Sequence, residues 1–255
     1  MGTTPLSGPT DHPADYPAGV RSRQTALLAG LTAATVLVAT GCSEGENTGG
    51  PYSVVELEPL LITLEDFPSG WEERPIGTDG EDPAAELGAC IPDDLASAAD
   101  DLAESTDGPG VVSNEFAPDG SDDLSASHAI TPLDPGLAED VIDLFGTEEY
   151  ATCYEGVLQD SFGAVAADVE GYVVGDVSIT IGEADIADGS VRYIVDIPAE
   201  VDGEPFDLHV DLWLLRRADV VSSLSFVGVG EPFPADLSGS LVGIAANRLS
   251  SLDAG

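Results

Sequence analysis

The sequence predicts an α+β domain: a single unit in which an antiparallel β-sheet, ending in a C-terminal four-stranded meander, is covered by helices on one face. Three observations predict it. Four strand-like runs, Val177–Ile186, Val191–Pro198, Phe206–Arg216 and Val220–Val229, follow one another with only hairpin-grade turns between them. An amphipathic stripe over Ala235–Leu252 closes the chain. Three helical stripes and two shorter strand-like runs precede the meander.

In chain order, residues 1–42 read as an export signal. Thr25–Ala39 is apolar and uncharged over 15 residues, with Arg21 and Arg23 before it. That is short of the ~20 residues a membrane-crossing helix requires, and the basic flank and small residues after it form a secretory signal. The absence of two consecutive arginines favours the general secretory route. Residues 1–19, with Asp11, Asp15 and four prolines, read as a disordered leader or as sequence ahead of a true start at Val20. The stretch Val38-Ala39-Thr40-Gly41-Cys42 resembles the lipobox of bacterial lipoproteins. The resemblance implies a thioether-linked diacylglyceryl group on Cys42, which becomes the new N-terminus. Two or more acyl chains hold a protein on a bilayer where one is marginal. Residues 43–53 are a polar, Gly-rich tether, and residues 54–255 form the domain.

Thr63–Trp71 contains a short helical turn ended by Pro68 and Gly70. Residues 74–92 are loop-like. Asp93 or Asp94 caps a helix with Leu95, Ala98, Ala99 and Leu102 on its apolar face. Val111–Ala117 and Leu124–Ile130 read as strands around the Pro118-Asp119-Gly120 turn; His128 shares a face with Leu124, Ala126 and Ile130 and reads as a core histidine. Pro135 opens a helix with Leu137, Val141, Leu144 and Phe145 on one side. Thr147 caps the next helix, with Glu148 and Glu149 where the helix dipole favours acids. That helix turns Tyr150, Cys153, Tyr154, Val157 and Leu158 inward. In the third meander run, Phe206, Leu208, Val210, Leu212 and Leu214 alternate with Asp207, His209, Asp211 and Trp213, giving one apolar and one mostly wet face. The closing helix is expected to cover the apolar face; Arg248 interrupts its stripe of Leu237, Leu241, Ile244, Ala245 and Leu252.

Charge and cysteines narrow the function. Over 255 residues, 48 acids oppose 7 arginines with no lysine, a net charge of −41. Binding nucleic acid by counterion release is excluded, as is any mechanism that needs a P-loop, Schiff-base or Ser-x-x-Lys lysine. The acids are scattered in runs of at most two, as on a surface adapted to high salt. Calcium binding is the rival explanation, but no complete calcium-loop motif is present, Asp119–Asp123 coming nearest, and no metal or other cofactor is expected. Cys90 and Cys153, an even pair in an exported chain, read as a disulfide rather than a reactive thiol, since there is no lysine and only His128 and His209 to activate one.

The order of elements resembles the extracellular sensor-like domain of actinobacterial lipoproteins and of some mycobacterial receptor Ser/Thr kinases, the PknH-like extracellular domain. The matching features are Leu60-Leu61-Ile62-Thr63 leading to Asp66-Phe67-Pro68-Ser69-Gly70-Trp71, the helix with Tyr150-Ala151-Thr152-Cys153, and Leu215-Arg216-Arg217-Ala218-Asp219, over residues 55–252. PsbP-like lipoprotein domains are a second, weaker resemblance. Either implies an α+β domain with a cleft between sheet and helices for an unidentified extracellular ligand. The expected function is a membrane-anchored, extracytoplasmic, non-enzymatic ligand-binding or sensor-like module. Its expected partners are the membrane, through the N-terminal lipid, and an extracellular ligand or envelope protein. His209 and Trp213, on the wet strand face, are the candidate ligand-binding residues. One alternative is a hydrolase built on the His209/Asp207/Asp211 face with Ser223 or Ser225 on the adjacent strand; another is a protein–protein interaction or envelope-assembly lipoprotein. A two-lobed solute-binding protein would need a longer chain.

Overall fold

The computed structural model describes residues 52–76, 90, 110–133, 135–169, 171–182 and 184–254. Cys42, most of the tether and the helix expected from Asp93 or Asp94 to Leu102 lie outside the described residues. The described chain begins with a short helix α1 (Val54–Leu57) and 3-10 turns at Glu58–Leu60 and Leu64–Asp66, followed by β1 (Trp71–Arg74). After β2 (Val111–Val112), β3 (Glu115–Pro118) and β4 (Leu124–Pro132) come helices α2 (Pro135–Phe145) and α3 (Glu148–Asp168). β5 (Tyr172–Val174), β6 (Ser178–Gly182), β7 (Gly189–Val201), β8 (Glu204–Arg217), β9 (Val220–Val229), α4 (Ala235–Leu249) and a 3-10 turn at Ser250–Ala254 complete the order. The class is α+β, as predicted.

The strands form one antiparallel sheet in the order β1-β3-β4-β9-β8-β7-β5, with β2 also on β4 and β6 also on β7. Turn chemistry sets its register. Asp202 (φ 54) and Gly203 (φ 86) make the two-residue turn of the β7–β8 hairpin, the left-handed pair that Asp-Gly favours. Ala218 (φ 51) and Asp219 join β8 to β9. The Asp188 carboxylate steadies that turn by accepting from the Ala218 amide at 3.2 Å and from Arg217 Nη1 at 2.7 Å. The run Val111–Ala117 is split. Val112 faces Ala129 while Phe116 faces Ala126, an offset of one residue, so Ser113 and Asn114 form a bulge. The Ser113 hydroxyl takes the place of a ladder carbonyl by accepting from the His128 amide at 3.0 Å.

Both sheet faces carry cover, not the single face expected. On the first face, α2 and α3 bury Leu137, Val141, Tyr154 and Leu158 against Val191, Tyr193, Ile197, Phe206, Leu208 and Val210. On the second, α4 and residues 57–67 bury Leu241, Val242, Leu249, Leu57 and Ile62 against Trp213, Leu215, Leu224 and Phe226. The closing helix therefore sits opposite to where alternation in β8 placed it. The reason lies in two runs that do not alternate: Leu212-Trp213-Leu214-Leu215, and β9, which is buried over nine of its ten positions. A strand buried on both faces reads as a continuous apolar or small-residue run. Arg248, the exception on the α4 stripe, donates to both carboxylate oxygens of Asp66 at 2.8 Å and to the Leu61 carbonyl at 2.5 Å.

The paired cysteines are joined. The Cys90–Cys153 disulfide, Cα to Cα 5.4 Å, ties buried Cys90 to α3 across a sequence separation of 63. Thr147 caps α3 by accepting from the Tyr150 amide at 3.2 Å. Further along α3, Glu155 accepts from the Ile179 amide at 3.1 Å and Gln159 from the Val177 amide at 2.8 Å. Ile179 lies in β6 and Val177 just before it, so the helix satisfies backbone groups that an edge strand leaves open.

Candidate functional site

The two covers leave part of the second face open. α4 and the N-terminal segment lie over the β4–β9 region and the Trp213 end of β8, whereas the outward side chains of β6, β7 and the first half of β8 are half-buried or exposed. One border of this shelf is the chain after β9, which turns back across Gly228. A Cβ on Gly228 would collide with the Glu231 carbonyl and sit 2.8 Å from Phe233 N. Gly228 stands opposite His209 in the register, and the Gly230 amide donates to the Asp207 carbonyl at 2.7 Å.

Three cross-strand relations organise the shelf. His209 lies opposite Asp196, and its Nδ1–H donates to Asp196 Oδ1 at 2.6 Å, leaving Nε2 with the lone pair when the ring is neutral. Arg192 lies opposite Trp213, with its guanidinium 4.8 Å from the indole centroid, a cation–π stack. Arg192 Nε and Nη2 also donate to Asp211 at 2.7 and 3.1 Å, a bidentate pair. Gly182 makes room for this, since a Cβ there would lie 3.0 Å from Arg192 Cδ. Trp213 is buried, and its indole N–H has no acceptor among the described residues.

Both sequence candidates thus belong to one shelf, but in different roles. His209 is half-buried on it, and Trp213 is the floor beneath Arg192 rather than an aromatic open to solvent. The hydrolase constellation does not assemble. Ser223 and Ser225 lie opposite Leu214 and Leu212, on the other face of the sheet from His209. Asp211 is engaged by Arg192, and His209 is oriented by Asp196 rather than by Asp207 or Asp211.

A second histidine–serine contact exists and is built for structure. His128 is fully buried, accepts the Ile62 amide on Nδ1 at 2.9 Å and contacts Ser222 Oγ through Nε2 at 2.7 Å. Because Nδ1 accepts, Nε2 carries the proton and donates to Ser222, so the ring has no lone pair to take the serine proton. Burial first, and the positive Arg248 second, lower the His128 pKa to about 3. Other displaced groups also sit in the core or away from the shelf: burial pushes Tyr154 up to about 12 and raises the Glu115 carboxyl.

Asp196 and Arg192 were not singled out from sequence, although a signal for them existed. Once Asp202-Gly203 is taken as a two-residue turn, stepping outward equally on both sides places Asp196 against His209 and Arg192 against Trp213.

No protein-family model matches the sequence, and no curated protein matches it. Among solved structures, the extracellular domain of PknH from Mycobacterium tuberculosis is similar at 9% identity, with a TM-score of 0.31, over 55% of this chain. The chain covers 64% of the length of that domain.

Proposed function

We propose that this chain is an extracytoplasmic lipoprotein, anchored through Cys42, whose domain is a non-enzymatic binding or sensor-like module using the β6–β8 shelf. The observation that carries the binding role is the shelf itself. Arg192 is held by Asp211 in a bidentate pair, His209 is oriented by Asp196, and the residues opposite His209 in the register, Asp196 and Gly228, carry neither a hydroxyl nor a thiol. Such a surface can recognise shape and charge; acyl transfer would need a nucleophile within hydrogen-bond reach of the base. The disulfide supports an oxidising compartment, and the short apolar stretch ending in a small-residue run before Cys42 supports lipidation.

The test is mass analysis and fractionation of the exported protein. An N-terminal Cys42 carrying a diacylglyceryl mass is expected in the membrane fraction, and Cys42→Ala should move the protein to the soluble fraction. A free thiol, or unchanged partitioning of the variant, would defeat the anchor.

A further inference from the structure

The distal end of the shelf has a composition that the ion pairs do not explain. Val173, on β5, is 57% exposed and faces Glu200 across the β5–β7 ladder, so it projects from the second face. Pro198 and Pro205 stand exposed on that face, with half-buried Ile194 behind them. The register puts all four on the same side as Asp196 and His209. Acidic side chains interleave with these four: Glu200 lies between Val173 and Pro205 in one cross-strand row, Asp196 lies between Ile194 and Pro198 along β7, and Asp207 lies opposite Pro198. Glu200 and Asp207 have no salt-bridge partner among the described residues, and Asp196 accepts from the His209 ring. Exposed apolar side chains interleaved with unpaired carboxylates offer one bound segment both apolar and charged contacts.

We propose that this end of the shelf docks a basic polypeptide, apolar residues laid on Val173, Ile194, Pro198 and Pro205, and Lys or Arg side chains reaching Glu200 and Asp207. This rests on the binding-module reading above and gives it a surface and a partner class. Charge selects the occupant. Nucleic acid and anionic lipid meet like charge here. A second copy would bring another −41 against the same carboxylates. A small molecule needs a concave site that buries most of it, whereas an open sheet face suits an extended or helical polypeptide.

Because the whole surface is acidic, the test must separate this face from diffuse attraction. The probe is a short synthetic peptide of alternating lysine and leucine, read by fluorescence anisotropy on the exported full chain in detergent at physiological salt. Hydrogen-exchange footprinting then locates the contact. Protection over β5, the second half of β7 and the first half of β8 is expected. Val173→Lys, on an exposed site, should weaken binding by about tenfold, the loss expected of a central contact. Glu200→Gln with Asp207→Asn should weaken it too, whereas Glu149→Gln with Asp160→Asn on α3, on the other side of the sheet, should not. Equal losses from both acid pairs, equal binding of a lysine–glycine peptide, no effect of Val173→Lys, or self-association through this face would each overturn the proposal. None of these readings depends on Cys42, so a failed anchor and a failed docking face are told apart.

Discussion

At the scale of single residues, the buried His128 of the second face is satisfied by two named partners, and that pairing has a measurable consequence. His128 takes its hydrogen bonds as a neutral ring, held between the Ile62 amide and Ser222. Unfolded, the same ring titrates at an ordinary value near 6.5; folded, at about 3. Between those values the unfolded chain binds a proton that the native one refuses, so stability rises with pH across the window and falls on acidification. The group contributes fully above pH ~6.5 and loses about 1.4 kcal/mol per pH unit below it. Urea unfolding at pH 7 and at pH 4.5 should show this slope in the wild type. His128→Gln should be less stable at neutral pH and lack that part of the slope; equal slopes would disprove the assignment. Gly228 makes a steric counterpart. The chain after β9 passes where its side chain would be, so Gly228→Ala should destabilise by about 3 kcal/mol through backbone displacement, read as a lower urea midpoint at unchanged m. A variant within a few tenths of wild type would show that the crossing yields easily.

At the scale of elements, the ends of the molecule are held by two ties of different kind. Arg248 binds α4 to the 3-10 turn at Leu64–Asp66 and to the Leu61 carbonyl. Burial pushes the Asp66 carboxyl up, but the Arg248 guanidinium and then the Thr63 amide outweigh it and hold the group below its usual range. Arg248→Met should cost about 2 kcal/mol, less than a fully buried pair because the arginine is partly solvated. Adding Asp66→Asn should recover part of it, and strict additivity in the double mutant would mean that the two side chains do not interact. The disulfide ties α3 to Cys90, and reduction should lower stability by about 4 kcal/mol on the chain-entropy account; an unchanged melting midpoint in reductant would refute a stabilising role. How much of this was legible in the sequence differs by element. Thr147 with two acids after it, the Asp202-Gly203 turn and the alternation Phe206–Asp211 each carry a local signal, and each forms where expected. The split at Ser113 was not legible, because the bulge exists only to bring the Ser113 hydroxyl and Phe116 into register with β4. The placement of α4 failed because alternation in Phe206–Asp211 was extended through Leu212–Leu215, where both faces are buried. The site was half legible: His209 and Trp213 came from the wet face of one strand, but Asp196 and Arg192 emerge only when turn length is converted into register.

At the scale of the whole molecule, charge opposes compaction. The chain carries 48 acids against 7 bases, and in the described residues the arginines are spent on named contacts: Arg74 with Glu72 and Asp122, Arg192 with Asp211, Arg216 with Glu139, Arg217 with Asp188, Arg248 with Asp66. Most carboxylates therefore repel one another without a nearby cation. At 0.1 M salt the Debye length is about 10 Å, so neighbouring carboxylates still interact; at 1 M it is about 3 Å and they largely do not. The unfolded chain spreads the same charge over a larger volume, so screening favours the native state. The thermal midpoint should rise by about 5–10 °C between 0.1 and 1 M sodium chloride, equivalent to a few kcal/mol for a domain of this size. Potassium chloride should match it, because screening depends on ionic strength and not on the cation. The gain should level off at higher salt, once the screening length is shorter than the spacing of the carboxylates. A rise completed by millimolar calcium at constant ionic strength would identify specific cation binding instead, and a midpoint flat from 0.1 to 1 M would show that the acid excess does not limit this fold.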